Sequence, residues 1–285
     1  MEAHAGASVR LSCARTLVTP VTHKAVYNFS WIEALMVDVP AYLSRIGYAG
    51  SITPGAEDLR ALHRAHLFSV PFENLDIAQG RPIVLDEDAL LRKVINHRRG
   101  GFCYELNGCF AALLRSLGFQ VTLLSARVSR RDGGEGPEFD HLALRVDLDQ
   151  PWLADVGFGE SFLEPLRLQV DIEQCDPAGQ FRLRRMGDRF QLERQEPEGL
   201  WRPQYSFSLQ PRRLEDFAGM CHYHQTSPES HFTQNSICSC ATADGRITLS
   251  GMKLIITRNG QREETTLQTE QQRQDALNEH FGIRT

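Results

Sequence analysis

The feature that most constrains this chain is a change of hydrophobic period at Gln120. Before it, apolar residues recur at helical spacing; after it, they alternate every second residue. A helical stretch followed by a run of short strands excludes an all-helical bundle and a regular βαβ succession, and it points to an α+β protein.

The helical part has local start and stop signals. Asp38 is placed to cap a helix with Pro40 in its first turn and Tyr42, Leu43 and Ile46 on one face, stopped by Gly47 and Gly50. Thr53 before Pro54 is expected to open a second helix carrying Leu59, Leu62 and Leu67. Asp86 opens a third with Leu90, Leu91, Val94 and Ile95. The fourth runs from about Cys103 to Leu117, with Leu106, Phe110, Leu113 and Leu114 on one face and Gly118 as its stop.

From Gln120 onward, strands are expected at Val121–Ala126, His141–Val146, Trp152–Val156, Phe181–Arg185, Arg189–Glu193 and Tyr205–Leu209, forming an antiparallel sheet or barrel. A helix is expected over Arg212–His224. Ile247–Leu249 then leads to a hairpin of Met252–Arg258 and Glu263–Gln268 around Asn259-Gly260, and a last helix ends at Phe281 before Gly282. The fold expectation is α+β: a helical N-terminal domain over 36–125, an antiparallel β-barrel-like middle domain over 126–210, and a helical linker with an α/β C-terminal lid over 211–285. Residues 1–35 carry few acidic residues and no sustained period, and they read as a disordered N-terminal extension.

Charge and composition narrow the partners. The 31 Lys and Arg against 36 Asp and Glu give a formal charge of −5 with no dense basic run, so nucleic acid and anionic membrane are not expected partners. No apolar stretch approaches the roughly 20 residues that cross a bilayer. Seven cysteines without a regular framework suggest reduced thiols and a cytoplasmic setting. A small molecule is the expected partner, and a monomer or homodimer the expected state.

Chemistry is concentrated in Arg98-Arg99-Gly100-Gly101-Phe102-Cys103. A cysteine in the first helical turn faces the positive end of the helix dipole and unpaired N–H groups, which favour the thiolate. The competing reading is a core cysteine, since Cys103 shares its face with Leu106 and Phe110. A nucleophilic thiol needs a base, and the base an orienting group. His141 starts one strand and Asp155 lies near the end of the next. A three-residue loop, Asp147–Asp149, places them directly opposite each other on one face. Singly they read as a half-buried strand histidine and a strand-end cap; together with Cys103 they form an ordered cysteine-protease-like set suited to acyl transfer.

Arg99-Gly100-Gly101-Phe102-Cys103-Tyr104-Glu105-Leu106-Asn107 resembles the active-site run of the arylamine N-acetyltransferases. Val70-Pro71-Phe72-Glu73-Asn74-Leu75-Asp76, Asp140-His141 and Asp155-Val156-Gly157-Phe158-Gly159 resemble that family's other signatures, in order. The resemblance covers about residues 36–285. It implies that Cys103 takes an acetyl group from acetyl-CoA as a thioester, that His141 deprotonates the thiol and that Asp155 orients His141. An arylamine, arylhydrazine or N-hydroxyarylamine would then discharge the thioester in a ping-pong cycle. It further implies that Phe72, Val128, Phe158 and Phe232 line the acceptor site.

Gly157, Gly159 and Thr226 are candidates for contact with CoA, although the glycines also suit a strand-end turn. Arg99 and Glu73 are expected to form an ion pair bracing the loop before Cys103. Cys221, His222, His224, His231, Cys238 and Cys240 cluster without the spacing of a structural zinc site, so no metal is expected. The other functions considered are an amide synthase or transglutaminase-like hydrolase using a different acyl donor, and a catalytically silent small-molecule binding protein.

Overall fold

The structure, a computed structural model, describes Met1 and residues 37–130 and 132–284. The extension expected over residues 1–35 falls, from residue 2 on, outside them.

Helix α1 (Val39–Arg45) starts as its sequence requires, with the Asp38 carboxylate accepting the Ala41 N–H at 2.9 Å. Helix α2 (Ala56–Ser69) begins later than the Thr53-Pro54 signal suggested. Gly55 occupies the cap, and Asp58, inside the first turn, reaches back to the Thr53 N–H at 2.8 Å. A two-residue strand β1 (Phe72–Glu73) and a single turn α3 (Leu75–Ala78) follow. Helix α4 (Glu87–Leu91) is capped by Asp86 and runs into a π-helical turn, Arg92–Asn96. Helix α5 (Cys103–Ser116) is buried along almost its whole length, because it packs against the other helices and against the sheet that follows.

That sheet has eight antiparallel strands: β2 (Gln120–Val128), β3 (His141–Asp147), β4 (Pro151–Ala154), β5 (Leu166–Arg167), β6 (Glu173–Asp176), β7 (Gly179–Met186), β8 (Arg189–Gln195) and β9 (Trp201–Phe207). Its spatial order is β5-β4-β3-β2-β9-β8-β7-β6. The two edge strands approach through a side chain: Gln174 on β6 accepts the Arg167 N–H at 2.8 Å and donates to the Arg167 carbonyl at 3.0 Å. The sheet is thus nearly closed, with one amide group standing in for a ladder rung.

Alternation sorts its two faces. Leu124, Ala143, Leu153, Phe181, Leu192 and Tyr205 fill the inside, while Leu123, Leu142, Leu144 and Trp152 join the core around α5. The expected Tyr205–Leu209 strand lies earlier, at Trp201–Phe207. Pro203 is accommodated there because it sits where the β8–β9 register shifts, a position that needs no N–H donor.

Helix is confined to a 3-10 turn (Leu214–Phe217), α6 (Ala218–Thr226) and α7 (His231–Gln234) between the two sheets. The second sheet, ordered β1-β10-β11-β12-β13, adds β10 (Ile237–Thr242), β11 (Gly245–Ser250), β12 (Lys253–Arg258) and β13 (Gln261–Thr266) to β1. Asn259 and Gly260 turn the β12–β13 hairpin with φ of 48° and 77°, as their side chains permit. Helix α8 (Glu270–Phe281), capped by Thr269 and stopped by Gly282, covers the face carrying Cys238 and Leu249. The pairing of β1 with β10 makes the loop before α5 part of the C-terminal sheet. Among the described residues, no helix is long and apolar enough to cross a membrane.

Candidate active site

Two glycines bring the chain to Cys103 by letting strands crowd it. A Cβ on Gly100 would lie 1.9 Å from the Pro71 carbonyl oxygen, and one on Gly101 would lie 2.7 Å from Glu105. That closeness allows the Glu73 N–H to reach the Gly101 carbonyl at 2.9 Å. Phe102 caps α5 in an extended conformation, with its N–H held by Glu105 Oε2 at 3.0 Å. Cys103 then starts the helix at only 4% exposure. Burial pushes its thiol well above the ordinary value, against a lowering contribution from the Leu142 N–H. The helix N-terminus expected to favour the thiolate thus works against this desolvation.

The candidate base, His141, is in reach of a carboxylate. His141 opens β3 and Asp155 follows the last residue of β4, both on the face that Ala143 and Leu153 turn to the barrel interior. His141 Nε2 and Asp155 Oδ2 are 2.7 Å apart, and both residues are buried. The register differs from the one expected. Asp147 pairs with Pro151 and Leu144 with Ala154, so the loop is Leu148–Gln150 and Asp155 meets His141 diagonally, not directly opposite. An odd loop length keeps the two on one face, which is why the contact survives the two-residue slip.

Asp155 Oδ1 accepts from Asn107 Nδ2 at 2.8 Å and from the Gly157 N–H at 2.9 Å. Burial alone would raise this carboxyl, but His141 and these donors together hold it below the ordinary range. Asn107 also accepts the Val156 N–H at 2.9 Å, so one residue of α5 ties the helix that Cys103 starts to the turn bearing Asp155. Its place one helical turn after Cys103 was the sequence signal for this role.

Beneath α5 lies a buried ion network. Arg99 Nη2 contacts Glu73 at 2.7 Å, as the sequence suggested, and Asp76 at 3.1 Å. Lys93 bridges Asp76 and Glu105, each at 2.7 Å. Burial, with Glu73 nearby and Lys93 opposing, pushes the Glu105 carboxyl up to about 7. Asp76 closes the Val70–Asp76 run that resembles a family signature, whereas Lys93 carries no periodic or motif signal that would have singled it out.

The four aromatic and aliphatic candidates fall into two groups. Phe158 stands edge-on to His141, with ring centroids 5.2 Å apart, and packs against Tyr205, which pairs across the ladder with Val128. Phe72 and Phe232 are 6.1 Å apart, and Phe232 meets Phe102, the residue before Cys103. The CoA candidates are placed differently. A Cβ on Gly157 would come 2.7 Å from the Cys103 Cα, so this glycine is required by packing on α5. Gly159 has φ of 91° and makes the turn. The Thr226 hydroxyl bonds the His222 carbonyl within its own helix at 2.8 Å.

A cleft of about 680 Å³ separates the segment after Phe158 from the C-terminal sheet. Arg194, Arg246 and Arg262 line it, as does Ser161, whose buried hydroxyl has no hydrogen-bond partner among the described residues. Arg246 bonds Ser239 Oγ at 3.0 Å and is in no ion pair among the described residues. Strand alternation puts Arg246 on the sheet face that also bears Phe72, since Phe72 pairs with Ser239 and Arg246 with Ala241. The cysteines and histidines once weighed as metal ligands are dispersed: Cys238 packs under α8, Cys240 faces α2, and His224 lies 3.2 Å from Asp140.

A buried thiol thus starts the helix whose Asn107 is bonded to the carboxylate of a buried histidine–carboxylate pair. A family model described as N-acetyltransferase matches residues 56–285, and the chain belongs to the arylamine N-acetyltransferase family. The arylamine N-acetyltransferase of Mycolicibacterium smegmatis is 38% identical over 256 residues, 87% of this chain and 93% of that protein. A Salmonella typhimurium protein named arylamine N-acetyltransferase / N-hydroxyarylamine O-acetyltransferase is 39% identical, covering 74% of this chain and 75% of its own length. The Mycobacterium marinum enzyme, solved in complex with CoA, matches with a TM-score of 0.81 at 34% identity, covering 86% of this chain and 93% of that one. A Bacillus cereus member described as having a unique Cys-His-Glu catalytic triad matches at 0.81 and 26% identity, over 88% of this chain and all of that one. This chain sets an aspartate, Asp155, against its histidine.

Proposed function

We propose that this protein moves an acetyl group from acetyl-CoA, through a thioester on Cys103, to an arylamine, arylhydrazine or N-hydroxyarylamine. The observation that carries this reading is the 2.7 Å contact of His141 Nε2 with a carboxylate held ionised in a buried site. With Nε2 so engaged, Nδ1 is the nitrogen that takes the Cys103 proton as sulfur attacks the donor's carbonyl. Asp155 stabilises the imidazolium that results, and the proton passes to the departing CoA sulfur. In the second half, the acceptor nitrogen attacks the Cys103 thioester, His141 takes its proton, and the C–S bond breaks to return the thiol. Phe72, Val128, Phe158 and Phe232 offer apolar surface to a flat aromatic acceptor.

For the donor's phosphates, the cleft is the better match than Thr226, whose hydroxyl is already engaged. Arg246, in no ion pair among the described residues, and the Ser161 hydroxyl, without a hydrogen-bond partner among them, are groups that an anion would satisfy. Arg246→Met is expected to raise KM for acetyl-CoA by about 10- to 100-fold with kcat nearly kept.

The decisive experiment mixes the protein with acetyl-CoA and no acceptor, then measures intact mass and maps peptides, with Cys103→Ala as control. One acetyl group on Cys103, discharged by an added arylamine, is the expected result. Folded wild type without an adduct would remove acetyl-CoA as donor and leave the amide synthase or hydrolase reading.

A further inference from the structure

Asp155 lies one residue beyond β4, so no strand supplies a partner for its backbone N–H, and that group is buried. The partner comes from α2: His63 Nε2 accepts the Asp155 N–H at 3.1 Å. The other ring nitrogen, Nδ1, is 2.8 Å from the Leu163 carbonyl oxygen. A backbone N–H can only donate and a carbonyl can only accept, which fixes the imidazole as the neutral Nδ1–H tautomer. The ring is fully buried, stacked on Phe162 at 5.7 Å and edge-on to Phe110 at 5.9 Å. Burial also lowers its pKa to about 4, against the pull of the Leu163 and Asp155 contacts, which agrees with a neutral ring.

The two atoms that His63 joins are the two ends of one loop. Between Asp155 and Leu163 run Gly157, which packs on Cys103, and Phe158, which stands against His141. We infer that His63 is a positioning residue for the acyl-transfer site: a neutral imidazole that clasps both ends of the Asp155–Leu163 loop and thereby aims the Asp155 carboxylate at His141. This rests on the reading of His141 and Asp155 as the base and its orienter. Asn107 holds the next N–H, that of Val156, from α5, so two helices staple the same turn from opposite sides. His63 acts through Asp155 and touches no reacting atom.

The test compares three variants with wild type. His63→Leu removes both bonds, His63→Asn can replace only the Nδ1 donor, and His63→Gln can replace only the Nε2 acceptor. Each is checked for folding by circular dichroism and urea titration. Two readouts follow: single-turnover acetylation of Cys103 by acetyl-CoA, and the pH profile of Cys103 alkylation by iodoacetamide, which needs no acyl donor. The Leu and Asn variants are expected to acetylate about 10- to 100-fold more slowly at saturating acetyl-CoA, with half-saturation unchanged and the alkylation profile displaced. The Gln variant should recover most of the rate.

A folded Leu variant with wild-type rate and profile overturns the inference, as does a Gln variant no better than Asn. If Leu fails to fold, the Gln-against-Asn comparison decides. In the unmodified protein, ¹⁵N spectra should show one histidine as a pH-insensitive Nδ1–H tautomer that is lost in His63→Gln; an Nε2–H or charged His63 overturns the assignment. Asp155→Asn separates the two levels. If it leaves the alkylation profile untouched, the base-pair reading fails; if it displaces the profile and His63→Leu does not, only the positioning role fails.

Discussion

The helical side of the site and the barrel side bury charge in opposite ways. Under α5, three carboxylates (Glu73, Asp76 and Glu105) meet two cations (Lys93 and Arg99), all within 3.1 Å of a partner. At the barrel mouth, one carboxylate meets one imidazole, and its other oxygen is held by an amide and a backbone N–H. Lys and Arg stay charged through the physiological range, so the first network can hold the Arg99–Cys103 loop by ion pairing. An imidazole can both take up and return a proton, which is the task the second pair is proposed to perform. The difference separates a group of residues whose loss should cost stability from a pair whose loss should cost rate.

The largest effect tests the barrel side. Asp155→Asn keeps the shape and removes the charge that stabilises the imidazolium. The expected fall in kcat/KM is about 10³- to 10⁴-fold, with the urea midpoint moved much less than by any change in the helical network. Steady-state kinetics and urea denaturation on the same preparation check this. A variant that instead unfolds would mean that both sides are structural.

The next tests the helical side. Arg99→Met leaves Glu73 buried without its cation and should cost about 3–5 kcal/mol of unfolding free energy. Arg99→Lys, which keeps the charge but not the fork that reaches both Glu73 and Asp76, should cost less. The rate of Cys103 acetylation per folded molecule should stay near that of wild type. A large loss of rate in fully folded Arg99→Lys would erase the division between the two sides.

The two sides were also unequally legible in the sequence. Helix α5 and the thiol at its start were readable because the signals are local: two glycines, a Glu three residues after the cap, and apolar positions at helical spacing. His141 and Asp155 could be placed on one face because side chains alternate strictly, but their register could not be fixed, since where a loop closes depends on what the strand ends pack against. Strand β10 went unread. Ile237–Thr242 is mostly Cys, Ser, Ala and Thr, with little contrast between its faces, and it is a strand because β11 pairs along its whole length while Phe72–Glu73, far back in the chain, pairs with its other edge. His63 was invisible for a similar reason. On α2 it reads as one more residue of a helix, and only the tertiary fold brings it to the Asp155 N–H.

The smallest effect sharpens the comparison through the sign of a pH dependence. In the helical network, burial with Glu73 nearby and Lys93 opposing puts a proton on Glu105, up at about 7. Its folded pKa lies above the ordinary value of 4.5, so the favourable contribution is complete below pH 4.5 and is lost as pH rises through about 7. Relative to Glu105→Gln, wild type should therefore lose up to about 3 kcal/mol of stability across that window and level off above it. Asp155 has the opposite sign. Held below the ordinary carboxylate range by His141, Asn107 and Gly157 despite its burial, it contributes stability above that range that is lost as pH falls through its folded value. Urea titrations of wild type, Glu105→Gln and Asp155→Asn between pH 3 and 9 should give difference curves of opposite slope; two curves of the same slope would show that the two buried sites share one electrostatic logic.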